Sequence, residues 1–368
     1  MRPSLESTSK PRYTTLFCLH VLLVQTQDVV LGENGRMKLS VLMVTYNHER
    51  FIAQAITSVL SQCVDFDYEI VVGEDSSTDG TRDILMDFYR RFPDRIVPLL
   101  RDRNFGGGRN LEAALAACRG KYVALLEGDD YWISNNKLQR QVEFLETHPD
   151  FAVCCHRARI LHEVHIGYAD VSPSLAAGSY TIEDLLKGNF VMTSTTVVRR
   201  NLFGPLPGCF SETGLGDWPR LALAARQGKI ELMDEVMAAY RVHAGGIWSS
   251  LPVTRRLRDT VRMLRALDQH LGFQHTRTIR RTIARTYFEL ACHARQDGNR
   301  KETGKHLVSC IRDGGLRLGI SPRTFAGLAA YTLIGSGYKV FSKANESTNG
   351  VAPEASSQAN GPSRAGPH

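Results

Sequence analysis

The chain has 368 residues, of which 43% are hydrophobic and 23% charged, with a formal net charge of +7 and eight cysteines. This composition excludes a fibrous, collagen-like or wholly disordered chain and predicts one large or two medium globular domains. The basic balance suits anionic partners such as nucleotides, phospholipid headgroups or nucleic acid, without choosing among them. No apolar stretch reaches the roughly 18 to 20 residues of a membrane span.

In chain order, residues 16–24 follow basic residues and invite a signal-peptide reading, but His20 interrupts a short apolar core and no small-residue cleavage site is clear. Met37 then opens a clean first strand. Residues 1–36 are therefore expected to lie outside the fold, as an extension from a start codon placed too early. The apolar run 39–44 ends in Thr45-Tyr46-Asn47, and polar residues at the carboxyl end of a strand are where open α/β sheets bind ligands. Helical spacing at Phe51, Ile52, Ala55, Ile56, Val59 and Leu60 predicts a helix over 51–62. A strand over 68–72 runs into the acidic loop Gly73-Glu-Asp-Ser-Ser-Thr-Asp-Gly80, followed by a helix over 81–92. A third strand is expected at 95–100.

The loop Arg101-Asp-Arg-Asn-Phe-Gly-Gly-Gly-Arg-Asn110 fits neither dinucleotide nor P-loop spacing. Three glycines before a helix (111–118) do let backbone amides approach a phosphate, and Arg103 and Arg109 favour anion contact. The rival reading is a flexible connection. Next comes the stretch that organises the chain, Tyr122-Val-Ala-Leu-Leu-Glu-Gly-Asp-Asp-Tyr-Trp132. It predicts a strand buried on both faces running into Glu127, Asp129 and Asp130. Three crowded carboxylates repel unless a cation sits among them, and a hard divalent ion that also takes a diphosphate is the natural occupant. A helix cap at Asp130 would explain one carboxylate, not three.

Further on, the pattern predicts a helix over 136–146, a strand over 153–160, an unpatterned loop over 162–177, a short helix over 182–186 and a strand over 193–198. The pair Cys154-Cys155 before His156 tempts a metal reading, but free buried thiols in a reducing compartment explain the alternating pattern better. Nearby His162 and His165 read as ordinary loop histidines. Asp217, in Gly214-Leu-Gly-Asp217-Trp218-Pro219, is an N-cap by default for a helix at 221–225. Beside Trp218 it is also placed like a catalytic base against an apolar wall. Two strand-like pieces, 230–233 and 236–240, lead to Tyr240-Arg-Val-His243. From 255 onward arginine recurs at 255, 256, 258, 262, 265, 277, 280, 281 and 285 among apolar residues. Solvated helix faces explain this first; docking to an anionic membrane surface is the functional alternative. The apolar segment 325–340 is too short and broken to span a bilayer, and residues 343–368 have the composition of a disordered tail.

Three motifs, Ser40-Val-Leu-Met-Val-Thr-Tyr-Asn47, Glu74-Asp-Ser-Ser-Thr-Asp-Gly-Thr81 and Leu126-Glu-Gly-Asp-Asp-Tyr-Trp132, resemble in order those of family 2 glycosyltransferases. The likeness runs from about residue 38 to 243. It implies an α/β fold with a mostly parallel, doubly wound sheet of the nucleotide-diphospho-sugar transferase type, here followed by a helical C-terminal extension. The expected boundaries are 37–250 for the catalytic domain, 251–342 for the basic helices and 343–368 for the tail. It also implies inversion at the anomeric carbon, and Mn²⁺ or Mg²⁺.

By the resemblance, Thr45, Tyr46 and Asn47 line the nucleotide pocket, and Glu74 and Asp75 contact base and ribose. Asp79 holds its loop. Glu49, Arg103, Asn104, Arg109, Asp130 and Trp218 are counted with the nucleotide-sugar-binding set. Asp129, Glu127 and His243 are the metal candidates, with Asp129 also facing the donor; the family commonly has Asp where this chain has Glu127. Asp217 matches the acceptor-activating base. The implied partners are a nucleotide-diphospho-sugar donor and a glycan or lipid-linked acceptor in cell-surface glycan synthesis. The implied place is the cytoplasm, at the inner face of the membrane where the basic helices touch it. A nucleotidyltransferase would want a basic glycine-rich motif directly after the first strand, where Thr45-Tyr-Asn-His-Glu stands instead. A non-catalytic binding module would need no base at Asp217. No aromatic-basic platform supports nucleic-acid binding.

Overall fold

A computed structural model of the chain describes residues 37–162, 171–210, 216–314 and 322–334. The expected extension 1–36, the tail 343–368 and the middle of the loop 162–177 lie outside the described residues. The chain divides into two compact units between Leu251 and Pro252.

The first unit is built on a ten-stranded sheet. Its opening half follows the predicted alternation: β1 (Leu39–Thr45), α1 (Ile52–Leu60), β2 (Tyr68–Glu74), α2 (Thr81–Arg91), β3 (Ile96–Leu100), α3 (Gly107–Ala117) and β4 (Tyr122–Glu127). These strands lie in the order β3-β2-β1-β4 and all pair in parallel. Both faces are covered, so β2 is buried along its whole length and β4 up to Leu126, which is why they read as unbroken apolar runs. Ile52, Ala55, Ile56 and Val59 of α1 share one buried face.

The chain fills one side of β1 with β2 and β3, then crosses to the other side for β4. That reversal between β1 and β4 is the switch point at which open α/β sheets leave a crevice beyond the strands' carboxyl ends. Register sets Thr45 beside Glu74 and Val44 beside Glu127, so the three motifs share one end of the sheet.

Beyond β4 the sheet is mixed. It continues through β9 (Val197–Arg199), β6 (Phe151–His162), β10 (Lys229–Val242) and the two-residue β5 (Tyr131–Trp132). β9 runs antiparallel to both β4 and β6, whereas β6 and β10 are parallel. Short β7 (Val171–Ser172) and β8 (Gly178–Tyr180) pair with β6 and β10. Helices α4 (Lys137–Thr147), α5 (Ile182–Lys187) and α6 (Asp217–Ala225) complete the unit.

Several expectations need correction. The two pieces at 230–233 and 236–240 are one strand, β10, with register shifts between Met233 and Ala238. The predicted strand 193–198 opens as a 3₁₀ turn, Thr193–Thr195, and becomes strand only at Val197. Helix α3 starts at Gly107, within the glycine loop rather than after it. Asp217 is the first helical residue of α6 and Gly216 the cap, so the default N-cap reading fails.

The second unit consists of α7 (Val253–His270), α8 (Thr276–Gln296), α9 (Arg300–Arg312) and α10 (Pro322–Ile334), with Ala291, Leu307 and Leu328 packed at its centre. Among the described residues no helix is long and apolar enough to cross a membrane.

Candidate active site

At the end of β4 the chain makes a tight turn through Gly128. A Cβ there would meet Thr45 Oγ1 at 2.7 Å and His48 Nδ1 at 3.0 Å, so only glycine lets the acidic turn press against the end of β1. The following carboxylates then part company. Asp130 turns inward: it is buried, and its Oδ1 accepts the backbone N–H of Arg241 at 2.8 Å. Arg241 also donates to the Asp129 carbonyl and to Gln54, and its guanidinium stacks 4.5 Å from the Tyr131 ring and 5.0 Å from Phe51. Asp130 thus ties the turn to β10.

Asp129 points the other way, toward two imidazoles. His243 Nε2 lies 3.0 Å from Asp129 Oδ2, and His48 Nε2 lies 3.6 Å from the same oxygen. Phe51 backs both rings, with centroids 4.8 Å from His243 and 6.5 Å from His48. Burial alone would raise the Asp129 carboxyl, but the His243 hydrogen bond and the pull of both histidines outweigh it and hold it below its ordinary value. Burial pushes His48 below its own, opposed by Asp129 and reinforced by His243.

Glu127 sits behind them with Oε2 buried and unpartnered. Burial, then Asp130, Asp129 and Asp217 in turn, drives its carboxyl well above the ordinary range. Tyr240 of β10 feels the same group: burial and then Asp130, Glu127, Asp129 and Asp217 push its phenol well above its ordinary value. Four carboxylates therefore surround one phenol. Asp217 joins them from α6, held by Thr193 Oγ1 at 3.4 Å from its Oδ2. The turn that carries Thr193 is itself fixed, because Trp132 donates its indole N–H to the Ser194 carbonyl at 2.8 Å.

This donor set fits a divalent cation. It offers a hard carboxylate and an imidazole already in contact, with an orphaned carboxylate oxygen behind them.

The nucleotide-pocket candidates occupy the ends of β1 and β2. Asn47 is left-handed, with φ of 55°, a conformation asparagine tolerates, and its Oδ1 accepts the Thr78 N–H at 2.8 Å. Thr45 is buried with Oγ1 unpartnered, and Tyr46 is half-buried beside it. Glu74 is spent internally on Arg82 and on the Ser77 N–H at 2.6 Å. Asp75 accepts the N–H groups of Phe105 at 2.9 Å and Gly106 at 2.8 Å, so it holds the glycine loop against β2. Glu49 accepts the Gly80 N–H at 2.7 Å and Asp79 the Thr81 N–H at 3.0 Å, both at the start of α2. Arg103 and Asn104 stand exposed on that loop and Arg109 on the first turn of α3, with Asn104 Oδ1 accepting the Gly106 N–H and Arg103 lying 4.8 Å from the Phe105 ring. Trp218 is buried and donates to the Leu185 carbonyl at 3.2 Å, so its indole faces the interior.

Sequence reasoning missed His48, Arg241 and Tyr240. His48 was findable, since it directly follows the Thr45-Tyr-Asn motif; Arg241 and Tyr240 depend on where β10 pairs. Cys154 and Cys155 are free and buried, and His156 contacts the Arg157 carbonyl at 2.8 Å rather than either thiol.

Residues 40–204 match the family model described as glycosyl transferase family 2. An uncharacterized protein of Mycobacterium tuberculosis (strain ATCC 25618 / H37Rv) is 35% identical over 219 residues, 59% of this chain and 62% of that protein. The chain thus spans less than two thirds of that relative's length. The putative teichuronic acid biosynthesis glycosyltransferase TuaG of Bacillus subtilis (strain 168) is 29% identical over 220 residues, 59% of this chain and 84% of TuaG. Among solved structures, residues 1–349 of S. aureus TarS in complex with UDP-GlcNAc align with a TM-score of 0.58 at 17% identity, over 81% of this chain and 87% of that one, a likeness of fold. The three motifs converge at one end of the sheet, and the family model spans them: residues 40–204 form a domain that matches glycosyltransferase family 2.

Proposed function

We propose that this chain transfers a sugar, with inversion, from a nucleoside-diphosphate donor to a hydroxyl of a cell-surface glycan or its lipid-linked precursor. The observation that carries the reading is the division of labour among the carboxylates. Asp129 is held ionised beside two imidazoles on one element, while Asp217 enters from another and shares the Tyr240 surroundings.

In this reading the donor lies over the carboxyl ends of β1 and β4. Thr45, Tyr46, Asn47 and Asp75 form the floor of its nucleotide pocket, with the exposed Arg103, Asn104 and Arg109 at the phosphate rim. Glu74 and Glu49 act by shaping the loops, and Asp130 by fixing the turn. Asp129 and His243 would hold Mn²⁺ or Mg²⁺, with Glu127 behind them. Such an ion supplies charge neutralisation to the departing diphosphate. Asp217 accepts the proton of the acceptor hydroxyl as its oxygen attacks the anomeric carbon from the face opposite the leaving group. One base and one displacement give inversion, as in single-displacement sugar hydrolysis.

The glycan assignment rests on the resemblance to TuaG. Contact between the arginine-rich helices and an anionic membrane surface is part of the proposal; it would bring a lipid-linked acceptor within reach. The experiment is single-turnover transfer from a panel of nucleotide sugars, with the anomeric configuration of the product read by NMR. Retained configuration in the product rules out the single-displacement mechanism.

A further inference from the structure

The metal reading uses Asp129 and His243; the geometry points to a third donor. We propose that His48 is a direct ligand of the divalent ion, so that the protein offers two imidazoles and one carboxylate. The inference rests on the reading of Asp129 and His243 as the metal pair.

Three observations support it. First, His48 Nε2 and His243 Nε2 approach the same oxygen, Asp129 Oδ2, at 3.6 and 3.0 Å. Donor atoms about 2.1 Å from one ion, at tetrahedral to octahedral angles, lie about 3.0 to 3.5 Å apart, so the His243 spacing is that of a neighbouring ligand and the His48 spacing lies just beyond that range. Second, the 3.6 Å approach of His48 is too long for a hydrogen bond, and its Nδ1 is buried with no partner either. Nε2 therefore makes no hydrogen bond to Asp129 and is placed to engage an ion beside it. Third, the rings are fixed rather than free. Gly128 and Phe51 wall His48, Phe51 walls His243, and the rings stand edge to face with centroids 6.2 Å apart.

The arrangement is not a finished cage. Among the described residues no group of three or more His, Cys, Asp or Glu side chains is set to hold an ion unaided. The His48 gap is the longer one, and it has to close by a few tenths of an ångström as the ion enters. Diphosphate oxygens then fill the positions that the protein leaves open.

The consequence is selectivity. Mg²⁺ favours all-oxygen surroundings, whereas imidazole nitrogen suits first-row transition ions. Two imidazoles therefore bias the site toward Mn²⁺ over Mg²⁺, with Co²⁺ tighter still.

Pulsed electron paramagnetic resonance of Mn²⁺ added to the full chain counts the bound imidazoles through their ¹⁴N couplings. The expected spectrum shows two in the wild type and one in His48→Phe, a substitution that keeps an aromatic ring against Phe51 while removing both nitrogens. Mn²⁺ affinity, measured by titration calorimetry, should fall on the order of 10–100-fold in His48→Phe, and Mg²⁺ affinity by less. A single coupling in the wild type overturns the inference without reference to any variant and leaves the Asp129–His243 pair standing. A protein that binds no Mn²⁺ overturns both.

Discussion

Removing one negative charge at Asp217 separates binding from chemistry. Asp217→Asn keeps the side chain's shape and its contact with Thr193 but cannot take a proton. Donor binding should persist while transfer falls by about 10²–10⁴-fold, read from single-turnover product formation. Asp129→Ala should behave differently: it deletes the contact with His243 and should abolish metal-dependent release of nucleoside diphosphate. Lys137 offers a prediction about stability. It is wholly buried with Nζ unpartnered, 4.1 Å from the Trp132 ring centroid, and burial lowers it from its ordinary 10.5 to about 7. Between those values the unfolded chain binds a proton that the folded chain does not, so stability rises with pH across that window. Lys137→Met should therefore raise the unfolding temperature by several degrees near pH 6, and by progressively less toward pH 10. An increase independent of pH would show that the buried amine carries no such penalty.

Elements bring these residues together, and the elements differ in how far the sequence reveals them. Strands β1, β2 and β4 were legible because parallel strands covered on both faces must be apolar throughout, and their polar ends then stand out. The glycine-rich loop was legible as a loop, but nothing local shows that Asp75 holds it through two backbone N–H groups. Strand β10 was seen as fragments, since its bulges break the alternation that marks a strand. With it went the contacts that depend on long-range register: Arg241 on Asp130, and Tyr240 among four carboxylates. Glu74 shows the opposite failure, a motif residue whose carboxylate is consumed by Arg82. The tight approach of the β4 turn to β1 can be tested directly. Gly128→Ala places a methyl group against Thr45 Oγ1 and His48 Nδ1. It should weaken Mn²⁺ binding by about tenfold or more, because the turn that carries Asp129 must shift away from Thr45 and His48. A large loss of stability with unchanged Mn²⁺ affinity would place the strain elsewhere.

On the scale of the whole molecule, the chain joins a nucleotide-sugar fold to a helical unit rich in arginine. If those helices meet an anionic bilayer, the full chain should co-sediment with vesicles containing acidic lipid, detach as salt is raised above about 0.1 M, and ignore neutral vesicles. Salt-independent binding would point to apolar insertion instead. The central claim is narrower: the donor's diphosphate is gripped by an ion at the tip of β4. Its most direct measurement is manganese anomalous scattering from crystals soaked with Mn²⁺ and, separately, UDP or GDP. The account predicts a single strong peak between Asp129 and His243 with diphosphate oxygens on its open side. A nucleotide bound elsewhere, with no manganese at that tip, would contradict it.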